Sequence, residues 1–342
     1  MRIPTATLAV LLAVGLVLAP AAAAQEGARV ERVSGDGRVA TAIEVSRSTF
    51  ERADTVVMAY AHEYPDALVG APLAAALGAP LILNDRDRMF PGVSEELERL
   101  DPQRVVLLGG RRQMGPEVVD GIEALGIAVE RVSGSTRFGT AAAVAERLAQ
   151  ERGTATARVF VTEGIDADRT RGWPDALAVA PYAAHVGMPT LLVDTDLIPD
   201  DTARALAALA PAEVVIIGGE GAVSAAVERD LAADGRTVTR IFGPTRYATG
   251  AAVYDEAVAE GMNPATTWLA TGSNYPDALA AGATVAARGD AFLLVDPVDL
   301  DRSAPTRERL AASRPDLVRI LGGTAAVSDQ VVEQVRDVIG AQ

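Results

Sequence analysis

Short runs of continuously apolar residues alternate along the chain with longer Ala-rich segments whose apolar positions recur at helical spacing. The runs include Thr55 to Tyr60, Leu81 to Leu83, Thr190 to Val193, Thr267 to Thr271 and Phe292 to Val295. A strand that is apolar at every position, rather than at alternate ones, is one covered on both faces. The intervening segments, clearest from Thr140 to Gln150, are long enough to be the covering helices. The pattern predicts an α/β chain of parallel sheets with helices on both sides.

The alternation also repeats on a longer scale of about a hundred residues, which makes that length the unit of folding. Each copy opens on Arg-apolar-x-Gly, at Arg32 to Gly35, Arg131 to Gly134 and Arg240 to Gly243. Three residues further on stands Arg38, Arg137 or Arg246, and three beyond that Thr41, Thr140 or Thr249. An aromatic-Pro-Asp-Ala-Leu string follows, at Tyr64 to Leu68, Trp173 to Leu177 and Tyr275 to Leu279, and it contains Asp66, Asp175 and Asp277. Pro80, Pro189 or Ala291 opens the next run, and the last run of each copy ends in Gly109-Gly110, Gly218-Gly219 or Gly322-Gly323. Each copy is expected to be a module of about four strands and four helices, large enough to enclose its own core. The expected division is 30–128, 129–237 and 238–342, preceded by a short linker at 25–29.

Residues 1–24 read differently. Arg2, an apolar run from Ala6 to Leu18 and the small residues Ala21 to Ala24 have the order of a secretory signal peptide. The run is shorter than the roughly 20 residues that span a bilayer, and no second run of that length follows, so no membrane span is expected in the mature chain.

Composition narrows the chemistry. There is no cysteine, so no disulfide framework or thiolate metal site, and His62 and His185 alone offer little to a His-based metal site or triad. No cofactor or metal is expected. The net charge is -15 and every basic residue is arginine, an acidic balance that argues against nucleic acid as a partner. Gly35-Asp36-Gly37-Arg38-Val39-Ala40 matches a dinucleotide fingerprint, but Gly134 to Gly139 and Gly243 to Ala248 lack the middle glycine, and the match is read as chance.

The repeated polar residues follow the carboxyl ends of strands, the edge at which parallel sheets bind ligands. A Pro-Asp pair also starts helices well, because proline suits the first turn and a carboxylate suits the positive end of the helix dipole. The arginines do not fit that account, since a cation at a helix start costs a few tenths of a kcal/mol. Their recurrence predicts that each Arg meets an Asp, within its own module or across to the next. Such pairs either hold modules together or shape a polar groove, and both roles remain open at this point. The Gly pairs read as tight turns, and Ser224 and Ser328 as helix N-caps.

With these elements in this order, and in triplicate, the chain resembles the type 2 cell-wall-binding repeat family over essentially all of its mature length. The resemblance implies three Toprim-like or Rossmann-like modules packed with pseudo-threefold symmetry. It further implies a secreted, non-catalytic surface protein that holds non-covalently to an anionic wall polysaccharide or teichoic-acid-like polymer, as S-layer components do. A surface-protein partner is compatible with it. The sites it implies lie near module junctions, at Arg38, Arg137, Arg246, Asp66, Asp175, Asp277, Thr41, Thr140 and Thr249. Three repeats and a signal peptide use the whole sequence, so no effector domain such as an amidase is expected. The copies also differ. Val39 stands where the others have Phe138 and Tyr247, Gln113-Met114-Gly115 replaces Ala-Val-Ser, copy 2 has a longer loop from Glu163 to Gly172, and copy 3 lacks Gly-Ala-Pro, so unequal binding by the three modules is expected. Two other readings stay open: an extracellular enzyme or small-solute binder at the same sheet edge, and a purely structural surface scaffold.

Overall fold

The computed structural model describes residues 27–63, 65–164 and 173–341. The expected signal peptide, Tyr64 and most of the longer loop of copy 2 lie outside the described residues. The first repeat forms β1 (Arg29–Val33), α1 (Arg38–Arg47), β2 (Thr55–Tyr60), α2 (Pro65–Ala76), β3 (Leu81–Asn84), α3 (Pro91–Leu100), β4 (Arg104–Leu108) and α4 (Pro116–Ala124). The second forms β5 (Ala128–Val132), α5 (Arg137–Arg152), β6 (Arg158–Glu163), α6 (Pro174–Val186), β7 (Thr190–Val193), α7 (Asp200–Leu209), β8 (Glu213–Ile217) and α8 (Ala225–Ala232). The third forms β9 (Thr237–Ile241), α9 (Arg246–Ala259), β10 (Asn263–Thr271), α10 (Ala281–Arg288), β11 (Asp290–Val295), α11 (Ala304–Ser313), β12 (Leu317–Leu321) and α12 (Asp329–Ile339). The α/β alternation expected from the apolar runs is thus present in every copy.

The strands sort into three four-stranded parallel sheets, in the orders β3-β2-β4-β5, β7-β6-β8-β9 and β11-β10-β12-β1. The repeat boundary and the sheet boundary do not coincide. The first strand of each repeat lies at the edge of the preceding sheet: β5 pairs with β4, and β9 pairs with β8. The ring closes on itself, because β1 at the start of the chain pairs with β12 near its end, from Arg29 opposite Leu317 to Val33 opposite Leu321. The chain passes from one sheet to the next in the short loops before α5 and α9, since α5 packs on β7 and α9 on β11. Residues 126–129 and 234–238, which separate the repeats in sequence, therefore lead from a helix into a strand of the same sheet.

The sheets carry the apolar core. Positions 56–59, 105–108 and 214–217 are buried throughout except for the half-open ends of the strands, which is why these strands show no alternation. At the centre of the ring α2, α6 and α10 pack against one another. Their meeting point is built from equivalent small residues, Ala71, Ala180 and Gly282. A methyl group on Gly282 would lie 2.7 Å from the Ala71 Cβ and 3.3 Å from the Ala180 Cβ, which is closer than carbon atoms pack.

The first and third helices of a repeat are joined by charge in two copies, with opposite polarity. In the first, Glu96 on α3 is fully buried and takes hydrogen bonds from Ser46 at 2.6 Å and Arg99 at 2.6 Å, with Arg47 on α1 at 3.2 Å. Burial alone would raise its carboxyl, but the bonds from Arg99 and Ser46 hold it below its ordinary value. At the equivalent places in the third repeat, Arg309 on α11 pairs with Asp255 on α9 at 2.6 Å.

One expectation is corrected. The third Pro-Asp-Ala-Leu string does not begin a helix as the first two do: 276–280 form turns closed by bonds such as Ala278 N–H to Tyr275 O, and α10 starts at Ala281. Ser224 and Ser328 cap α8 and α12 as expected, accepting from the N–H of Val227 and Val331.

Two outcomes follow from this packing. Gly282→Val wedges a branched side chain into the helix junction and is expected to lower stability by about 1–3 kcal/mol, read as a shift of the urea midpoint. Deletion of residues 27–33 removes the edge strand of one sheet only. Hydrogen exchange of β10 and β12 amides is then expected to rise well above that of β2 and β4, and equal protection in both sheets would contradict ring closure by β1.

Candidate functional site

Each exchanged strand brings an arginine to the sheet it joins. Arg131 Nη1 donates to Gly109 O, Arg240 Nη1 to Gly218 O and Arg32 Nη1 to Gly322 O, each at 2.8 Å. The ladder continues beside these contacts, with the N–H of Gly109, Gly218 and Gly322 donating to Val132, Ile241 and Val33. These three glycines have φ of 93°, 114° and 86°, a region that only glycine enters without cost. They are also covered: a side chain on any of them would run into the carboxylate of Asp66, Asp175 or Asp277. Sequence reading had found Arg32, Arg131 and Arg240 as motif positions without a role. Their recurrence was the signal, but the carbonyl each one holds belongs to another repeat.

The Asp residues face the start of the following repeat. The Thr140 hydroxyl lies near enough to Asp66 to favour its ionised form, and it accepts the N–H of Gly134 at 3.2 Å. Thr41 and Thr249 accept from Gly35 and Gly243 in the same way, at 3.2 and 3.1 Å. All three threonines are buried. Arg137 acts on Asp66, and Arg246 on Asp175, through their charge. In these two junctions the Asp of one repeat and the Arg of the next therefore act on each other through charge, rather than as the direct ion pair that was expected between them.

Arg38, Arg137 and Arg246 each occupy the first position of a helix. Their placement against the helix dipole has a reason in the carbonyls they reach: Ala61 O at 3.0 Å, Gly164 O at 2.7 Å and Gly272 O at 2.6 Å. Those carbonyls end the second strand of the arginine's own repeat. The guanidinium groups of Arg137 and Arg246 thus lie between two sheets, bonded to one and acting electrostatically on the acid of the other.

Two clefts open at these junctions. The first, of about 180 Å³, is lined by Glu63, Asp66, Gln113, Ser135, Arg137 and Thr140. The second, of about 240 Å³, is lined by Glu163, Asp175, Gly219, Thr245, Arg246 and Thr249. The third junction has the same parts, with Asp277 against Gly322, Thr41 on Gly35 and Arg38 on Ala61, drawn from the two ends of the chain. Larger hollows lie elsewhere. One of about 430 Å³ between α9 and α11 is lined by Tyr254, Val258, Pro264 and Ala312. Another, of about 680 Å³, lies outside Thr136 and Phe138 against Asp200, Asp201 and Arg204. The junction clefts are the better candidates because shifted acids, arginine and recurring backbone donors converge there. His62, at 3.2 Å from Asp85, is exposed, and among the described residues no group of three or more His, Cys, Asp or Glu is placed to hold a metal.

Burial pushes Asp66 up to about 6, the carboxylate of Glu63 adds to the rise, and Thr140 and Arg137 oppose it. Asp175 is also pushed up to about 6 by burial, against the pull of Arg246. Near neutral pH both acids are largely ionised and present acceptor oxygens to the cleft; about one unit lower they also donate.

The family described as Cell wall binding domain 2 (CWB2) matches residues 32–119, 131–228 and 240–332. The chain belongs to that family. It carries three tandem copies of the wall-binding repeat, and the three matches begin with the arginine-bearing strands. It is 29% identical over 324 residues to the N-acetylmuramoyl-L-alanine amidase LytC of Bacillus subtilis (strain 168), covering 94% of this chain and 61% of that protein. It is 28% identical over 310 residues to the Amidase enhancer of the same organism, covering 90% of this chain and 40% of that protein. Among solved structures, Cwp6 from Clostridium difficile superposes with a TM-score of 0.82 at 22% identity, over 92% of this chain and 48% of the other. Cwp8 from the same organism gives 0.77 at 25% identity, over 92% and 52%. The chain thus spans between two fifths and three fifths of these relatives, and the likeness to Cwp6 shows the fold.

The raised acids set a pH dependence with a definite sign. A group whose folded pKa lies above its unfolded value holds its proton more tightly when folded, so its contribution to stability is present at low pH and lost as pH rises through the folded value. Asp66 and Asp175 therefore weaken the fold between about pH 4 and pH 6 as pH rises. The double variant Asp66→Asn, Asp175→Asn is expected to gain urea resistance relative to the parent between those limits, and to be at least as stable as the parent near neutral pH. A variant markedly less stable at neutral pH would make these acids structural.

Proposed function

We propose that this chain is a secreted, non-catalytic anchor that holds an anionic secondary polymer of the Gram-positive wall at the junctions between its repeats. The observation that carries this reading is the recurrence of Asp, Arg and Thr at the junctions, where Asp66 and Asp175 weaken the fold they sit in. The membership in a wall-binding family supports it, as does the leader-like stretch at residues 1–24. Arg38, Arg137 and Arg246, each at the start of the first helix of a repeat, supply local positive charge in a protein whose net charge is -15. Divalent cations bridging polymer and protein carboxylates would supply more.

A second reading has one observation in its favour. Glu63 lies close enough to Asp66 to raise its pKa, and a pair of neighbouring carboxylates is the equipment of a glycoside hydrolase. The relative LytC is named as an amidase, although this chain covers 61% of its length.

Sedimentation of the purified chain with B. subtilis walls, intact or stripped of secondary polymer, decides between them. The anchor reading expects binding to intact walls that disappears on stripping, weakens with salt and strengthens with Ca²⁺, without release of sugar reducing ends or free amines. Sugar reducing ends released by the parent but not by Asp66→Asn would establish the hydrolase instead.

A further inference from the structure

The three junctions are not equivalent at their rims. The residue between the exchanged strand and the recurring glycine is Ser34 in the first repeat, Ser133 in the second and Phe242 in the third. Phe242 is 57% exposed, one of three large apolar side chains left in water among the described residues. The other two, Leu197 and Val298, lie in the loops after β7 and β11. Phe242 differs from them in its surroundings. Its ring edge packs over Gly219, whose missing side chain would come within 3.7 Å of Cδ2. Gly219, Gly221 and Ala222 on one side, and Gly243, Pro244 and Thr245 on the other, line the second cleft. The ring is thus not part of the cleft's own lining but stands at its rim, over Gly219 and next to Gly243, where the neighbouring residues are too small to cover it.

Below the ring the cleft is acidic. Asp175 and Glu163 line it, and Arg246 Nη1 is engaged by Gly272 O. Glu163 also accepts the hydroxyl of Thr195 at 2.5 Å. Such a cavity repels a phosphate or a uronate, because two carboxylates face one guanidinium. It suits a neutral ligand that has an apolar face and a ring of hydroxyls. A pyranose has both: its axial C–H bonds lie against an aromatic face, and carboxylate oxygens accept from neighbouring hydroxyls. The volume of about 240 Å³ is that of about eight waters at roughly 30 Å³ each, room for one sugar ring.

We propose that the second cleft is a subsite for a neutral hexopyranosyl or N-acetylhexosaminyl residue, with Phe242 as its stacking platform and Asp175 as its hydroxyl acceptor. It rests on the reading of the chain as a polysaccharide binder and assigns a division of labour within it. The second junction reads the sugar of the polymer, and the charged groups of the polymer lie outside this cleft. The Ser34 and Ser133 junctions lack the platform, so the second junction dominates the affinity.

The test uses the full mature chain and three sequences: the parent, Phe242→Ser, which installs the residue of the other two copies, and Phe242→Tyr, which keeps the ring. Phe242 is exposed, so all three are expected to unfold at the same temperature, which is checked first. Wall sedimentation and saturation-transfer NMR with methyl N-acetylglucosaminide and methyl glucoside are then measured. The expected result is a wall affinity about tenfold weaker for Phe242→Ser, equivalent to about 1.4 kcal/mol. Phe242→Tyr retains parental binding, and saturation of the sugar C–H protons is lost only in Phe242→Ser. Parental wall binding by Phe242→Ser overturns the subsite and leaves the anchor standing. Wall binding by the parent with no saturation of either sugar also overturns it, and makes Phe242 a contact for something other than a sugar. Failure of the parent to bind walls at all overturns the anchor and the subsite together.

Discussion

The structure depends on the exchange of one strand per repeat. Each sheet has three strands of its own and borrows its fourth from the repeat that follows, with β1 supplying the last sheet from the opposite end of the chain. Without that exchange a repeat would leave the edge of its fourth strand unpaired, which is a hazard in a buried parallel sheet. With it, no repeat is complete alone. The arginine on the borrowed strand then holds the glycine turn of its host, so the contact that completes the sheet also fixes the backbone beside the recurring Asp.

The same geometry explains why the polar residues gather where they do. A strand that belongs to one sheet is followed by a helix that belongs to the next, and the loop between them must cross the gap. The crossing loops carry Gly134 to Thr136 and Gly243 to Thr245, and these line the two clefts. Asp66 and Asp175 are held in those clefts against the cost of their burial. Groups kept at such a cost are more often maintained for chemistry than for folding.

Much of the local structure was legible in the sequence. Unbroken apolar runs marked the strands, and glycine pairs marked the turns at Gly109, Gly218 and Gly322, which do adopt positive φ. The unfavourable placement of Arg38, Arg137 and Arg246 pointed to partners, and the structure supplies them in strand-end carbonyls, with Asp66 and Asp175 in reach of the charge of Arg137 and Arg246. The exchange itself was not legible, because periodicity shows that a strand is buried on both faces without showing which sheet covers it. For the same reason Arg32, Arg131 and Arg240 were visible as recurring letters but not as clamps. Phe242 was visible only as a difference from two serines; its exposure and its place above Gly219 belong to the tertiary structure. The turn at 276–280 was read as a helix start because the string matches its two relatives, while i to i+3 bonds decide the backbone there.

Three similar repeats in one chain face a sorting problem, since each first helix has three third helices it resembles enough to dock on. The ion pairs answer part of it. Arg47 and Glu96 join the helices of the first repeat, whereas Asp255 and Arg309 join those of the third with the signs reversed. Were α1 to settle on α11, two arginines would meet, and were α9 to settle on α3, an aspartate would face the buried Glu96. In a nascent or refolding chain, like charges brought together at these places disfavour the wrong docking, while the correct partners attract. The reversal acts as a key that lets each end of the chain accept its own helix and refuse the other's, and so protects a ring of near-copies from closing in the wrong order.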